Sequence, residues 1–60
     1  MSRQFLHAYL KAQELHKSIH KLTKAFEEDS TDEQILKRLA DSEQLFIEIK
    51  HLLANKKGLN

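Results

Sequence analysis

A chain of 60 residues with a net charge of +1, 40% apolar and 32% charged side chains, one glycine and no proline is too short for more than one domain; its composition is that of long amphipathic helices and excludes a disordered segment. The absence of cysteine excludes a disulfide framework and a thiolate metal centre, so the thin core of so small a domain needs some other support. Apolar runs of two or three residues exclude a membrane span, which needs ~20, and the breaks at His7 and Lys11 leave no secretory apolar segment, so the expected compartment is the cytoplasm.

Met1, Phe5, Ala8, Ala12, Leu15, Ile19, Leu22 and Phe26 alternate at spacings of four and three, the signature of a coiled-coil seam, and predict a first helix over about residues 2–28. The segment Glu27-Glu28-Asp29-Ser30-Thr31-Asp32-Glu33-Gln34 then predicts a turn. Either Ser30 with Glu33 or Thr31 with Gln34 fits a capping box, and Asp32 and Glu33 suit the positive end of a new helix. A second helix over about residues 31–57 follows from Ile35, Leu39, Ser42, Phe46, Ile49 and Leu53, and stops where Lys56 and Lys57 precede Gly58, the one residue free to take a left-handed cap. Residues 1–60 are thus expected to form a single all-α domain, an antiparallel two-helix hairpin. Folding about Ser30 and Thr31 sets position i against position 61 minus i, so that Ile19 meets Ser42, Leu15 meets Phe46 and Ala12 meets Ile49.

Two helices shield only one face of each other, and this sequence carries more apolar residues than one face holds. Leu6, Tyr9 and Leu10 fall outside the first seam, and Leu36, Leu45, Ile47 and Leu52 flank the second. Leu6, Tyr9, Leu10, Leu45 and Leu52 are therefore the candidate dimer or partner-binding surface. Their clustering toward the open end of the hairpin marks an interaction patch, and pairing of two copies into a four-helix bundle is the expected use.

No glycine-rich phosphate loop is present, and no nucleophile stands beside a histidine, so no catalytic residue and no cofactor is expected. His16 and His20 lie one turn apart, but two ligands are too few for a metal, and Lys17 and Lys21 stand next to them. Arg3, Lys17, Lys21 and Lys24 form a possible basic contact face on the first helix, opposite its seam. That half carries Glu14 as its only acid before residue 27, whereas residues 27–48 are strongly acidic. The small net charge and the lack of a base-stacking aromatic on the basic face argue for a protein partner over nucleic acid.

The hairpin length, the seam residues Ala8, Ala12, Leu15, Leu22 and Phe26, and the Asp32-Glu33-Gln34 run after the turn resemble the Rop family of plasmid copy-number regulators. That resemblance implies a dimeric four-helix bundle that binds paired RNA loops. Arg3 matches the basic residue near the start of the family's RNA face, while Leu10, Glu14, Ser18 and Ala25 stand where the family has an amide, an aromatic, a second amide and a lysine. The expected function is that of a small non-enzymatic regulator or adaptor, a homodimer that binds another protein through an apolar helical surface. A Rop-like RNA-binding bundle and a purely structural oligomerisation module are the alternatives.

Overall fold

The computed structural model describes residues 2–58, and side chains for 2–54. Helix α1 spans Arg3–Glu27 and helix α2 spans Asp32–Gly58, and the two pack antiparallel as a hairpin. At the start of α1 the Ser2 hydroxyl accepts a hydrogen bond from the Phe5 amide at 3.1 Å, occupying one of the donors that a helix start leaves unpaired. Met1, placed in the first seam by its spacing, lies outside the described residues.

The turn is built by two caps meeting back to back. Asp29 takes a left-handed conformation, φ 56°, and the Ser30 and Asp29 amides donate to the carbonyls of Ala25 and Phe26 at 3.0 and 3.3 Å, closing a Schellman cap. Two residues on, the Thr31 hydroxyl accepts from the Gln34 amide at 3.2 Å while the Gln34 side chain accepts from the Thr31 amide at 3.1 Å. Of the two capping boxes that the sequence allows, this one forms. The left-handed cap sits at Asp29, not at Gly58: α2 runs through Gly58, and no described glycine has a positive φ.

The backbone envelope measures 46 × 18 × 8 Å, a slab one helix thick with two broad faces. Such a slab has almost no interior: Ala8, Ala25 and Ser42 are buried, and Gln4, Lys11, Leu15, Ser18, Leu22, Ile35, Leu45, Glu48, Ile49 and Leu52 are half-buried along the line between the helices. Small side chains at Ala8, Ser18, Ala25 and Ser42 let the helices approach closely. Two polar pairs lie on that line, the Ser18 and Ser42 hydroxyls 2.8 Å apart and Lys11 Nζ 2.9 Å from Glu48 Oε1.

This arrangement corrects the seam and its register. Ser42 faces Ser18, not Ile19, and the cross-helix pairing is displaced by one to two residues from position 61 minus i. Of the sequence-derived seam, Ala8, Leu15, Leu22, Ile35, Ser42 and Ile49 do lie against the opposite helix, whereas Phe5, Ala12, Ile19, Phe26, Leu39, Phe46 and Leu53 remain exposed. Each helix does turn two adjacent lines toward the other, but the seam is rotated by one line from the sequence-derived one: Gln4, Lys11, Ser18 and Ala25 join Ala8, Leu15 and Leu22 on α1, and Leu45 and Leu52 join Ile35, Ser42 and Ile49 on α2.

The turn geometry makes two stability predictions. Asp29→Gly removes the penalty of a Cβ in the left-handed region and should raise stability by up to about 1 kcal/mol. Thr31→Ala should lower it by about 1 kcal/mol through loss of the reciprocal cap. Urea unfolding at one fixed protein concentration checks both signs.

Candidate functional site

The exposed half of the heptad pattern forms one continuous surface. Ala12, Ile19 and Phe26 recur every seven residues on α1, and Leu39, Phe46 and Leu53 do so on α2; both lines lie to the same side of the buried line and share one face of the slab. Exposure here is large: 61% for Phe26, 55% for Phe46 and 47% for Ile19. Phe5 continues the α1 line toward the open end. The Lys50 ammonium lies 5.6 Å from the centre of the Phe46 ring, a cation–π contact along the edge of this face.

The opposite face is grooved and polar. At its open end His7, Leu10, Lys11, Glu14 and Leu52 line a shallow groove of about 330 Å³, and Leu52 also borders a second groove of similar size with Gln44, Ile47 and His51. The predicted surface residues are therefore divided. Leu10 and Leu52 share a groove, while Leu45 borders a different hollow beside Glu14, Lys17 and Ser18. Leu45 and Leu52 are half-buried and belong to the contact between the helices; Leu6, Tyr9 and Leu10 are exposed. Tyr9 lies on the outer side of α1, where its hydroxyl accepts from Gln13 Nε2 at 3.1 Å.

Toward the turn the same polar face becomes basic. Lys21, Lys24, Lys37 and Arg38 surround an open hollow of about 570 Å³, and Lys17 joins Lys21 and Arg38 in the adjacent one. Glu28, Glu14 and Asp41 lie among them and temper the positive charge. Arg3 stands apart, about 20 Å along the helix from Lys17 at 1.5 Å per residue. Reading the charges helix by helix missed Lys37 and Arg38, because they sit within an otherwise acidic stretch. Folding the charges across the hairpin register brings them beside Lys21 and Lys24, and that signal was present in the sequence.

Among the described residues one ion pair forms, between Lys11 and Glu48, at the border of the polar face. The hydrogen bond from Lys11, seconded by one from Gln44 Nε2 at 3.1 Å, holds the Glu48 carboxyl below its ordinary range. The same bond to Glu48, aided by the charge of Glu14, raises the Lys11 ammonium above its ordinary value. Among the described residues no group of three or more His, Asp or Glu side chains is placed to hold a metal ion, and no helix is long and apolar enough to cross a membrane.

In comparisons with protein-family models, curated proteins and solved structures, nothing matches this chain.

The ion pair carries a pH signature. A depressed carboxyl contributes stability above its ordinary titration range and loses that contribution as pH falls through its lowered value; a raised ammonium contributes below its ordinary value and loses it as pH rises through the higher one. The pair should therefore act across the neutral range and fail at both extremes. In a titration followed by carboxyl carbon shifts, Glu48 should protonate below the ordinary glutamate range, and Lys11→Met should move it upward, with Gln44 retaining part of the depression. An unmoved Glu48 in the variant would mean that the pair does not form in solution.

Proposed function

We propose that this chain is a small, non-enzymatic cytoplasmic adaptor or regulator that acts as a homodimer and works by occupying a protein surface. The observation that carries the reading is the exposed two-helix-wide face of Ala12, Ile19, Phe26, Leu39, Phe46 and Leu53, an apolar strip far larger than the scattered hydrophobics of an ordinary surface. Covering it with a second hairpin gives four helices in cross-section and the enclosed core that the slab lacks. The polar face then remains outside. Its Leu10–Leu52 groove, with exposed Leu6 nearby, supplies an apolar contact for another protein, and the mechanism is masking or bridging of that partner.

The basic hollow of Lys21, Lys24, Lys37 and Arg38 favours a second reading, a Rop-like bundle that binds RNA. Glu14 and Asp41 on the same face, and the positions at which the chain departs from that family's RNA-binding pattern, rank it below protein binding. Binding to looped RNA that is tight at physiological salt would reverse the ranking; weak binding that falls steeply with salt and ignores loops is the outcome expected here.

Self-association is tested by thermal unfolding at several protein concentrations combined with sedimentation. The midpoint should rise with concentration as mass action requires, and the mass should be that of two chains. Ile19→Gln with Phe46→Gln should weaken the dimer at least ~100-fold, given the apolar area that four such side chains remove from water. Leu10→Gln should leave it intact. A concentration-independent midpoint with a monomeric mass would contradict the reading.

A further inference from the structure

The apolar face is two helices wide, which decides what can cover it. A single helix with its side chains is ~10 Å across and, seated between α1 and α2, would leave uncovered the outer rims of a face whose backbone spans 46 × 18 Å. A second hairpin matches it in length and width, and the resulting contact is of the order of the ~800 Å² per partner found in stable interfaces. Two symmetric arrangements then bury the whole face. A two-fold axis along the slab places α1 on the second copy's α2, with both turns at the same end. A two-fold axis across it places α1 on α1 and α2 on α2, with the turns at opposite ends.

The rims of the face distinguish the two. Outside the apolar line α1 carries Tyr9, His16 and Thr23 at seven-residue spacing, and α2 carries Leu36, Glu43 and Lys50 at the same spacing. The register fixed by Ser18 against Ser42 and Lys11 against Glu48 places Tyr9 level with Lys50, His16 level with Glu43, and Thr23 level with Leu36. With turns together, two of the three levels are completed by a complement from the second copy, an imidazole meeting a carboxylate and an ammonium meeting an aromatic ring, and the third sets Thr23 beside Leu36. Ala12 likewise faces Phe46, and Ile19 faces Leu39, so small opposes large and the two medium side chains meet. With turns apart, the central levels become His16 against His16 and Glu43 against Glu43, like groups opposed at the heart of the interface.

The geometry points to a homodimer in which α1 packs on α2 of the second copy, with both turns at the same end. This inference rests on the self-association proposed above and adds its partner pairing. The sequence has no cysteine, so a single Glu33→Cys substitution near the turn places one spin label per chain without interference. Pulsed dipolar spectroscopy on the labelled dimer should give a distance of about 20–30 Å, two to three helix widths. A distance approaching the 46 Å long axis, in a sample of dimeric mass, would overturn the pairing and leave self-association standing. A monomeric mass at every concentration would overturn both and assign the face to a different protein.

A charge exchange gives an independent readout. Glu43→Lys should weaken the dimer about three- to tenfold, as expected of two rim contacts per dimer, and adding His16→Glu should restore it. Absence of rescue in a folded, dimeric double variant would also overturn the pairing, because with turns apart these positions never meet.

Discussion

A layer one helix thick cannot enclose anything, and every other property of this protein follows from that. Each helix has one neighbour, so each can shelter only a narrow strip of side chains, and the chain fills that strip with the half-buried aliphatics Leu15, Leu22, Ile35, Leu45, Ile49 and Leu52 around a few small or mutually paired residues. Alanines at 8 and 25 and serines at 18 and 42 set a close approach, and the serine hydroxyls answer each other. Lysine 11 and glutamate 48 close the line toward the open end. These small and polar residues bring little hydrophobic stabilisation, and what the internal contact has comes from the half-buried aliphatics. Further large side chains, Phe26, Phe46, Ile19 and Leu39, lie on the adjacent line, where the hairpin alone leaves them exposed to water.

The turn matters to this organisation because it sets the register. A Schellman cap at Asp29 followed at once by a Thr31–Gln34 capping box leaves few residues free to vary, so the level of α1 against α2 is fixed locally as well as by packing. That register brings Ser18 to Ser42 and, on the other side, gathers Lys21 and Lys24 with Lys37 and Arg38. One short loop therefore determines both the flat apolar face and the charged face behind it.

The two helices and the turn between them were legible in the sequence because they depend on local signals, four-three periodicity, capping residues and the absence of proline, whereas the left-handed cap expected at Gly58 sits at Asp29. The pairing of Thr31 with Gln34 was one of two allowed by residue type, and only backbone geometry selects between them. The facing of the helices was legible only in part: the line of Ala8, Leu15, Leu22, Ile35, Ser42 and Ile49 does meet the other helix, and the second line of the seam does not. Periodicity marks two apolar lines on each helix, and assigning both of them to the hairpin contact assumed that a chain first satisfies itself. Leu45 and Leu52, assigned by that rule to the outside, are half-buried against α1, while Phe46 and Leu53 are turned out. The candidate surface shifts accordingly, from a patch at the open end to a face running the length of the slab.

The central claim is that the Ile19–Leu39 strip is a covered surface in solution and the Leu10 face is an open one. Methyl relaxation by a soluble paramagnetic agent measures this directly, with Ile19, Leu39 and Leu53 read against Leu10 in the same spectrum. At high protein concentration the three strip methyls should be protected and Leu10 fully accessible, and dilution should expose the strip while leaving Leu10 unchanged. Strip methyls that are as accessible as Leu10 at every concentration would contradict the account.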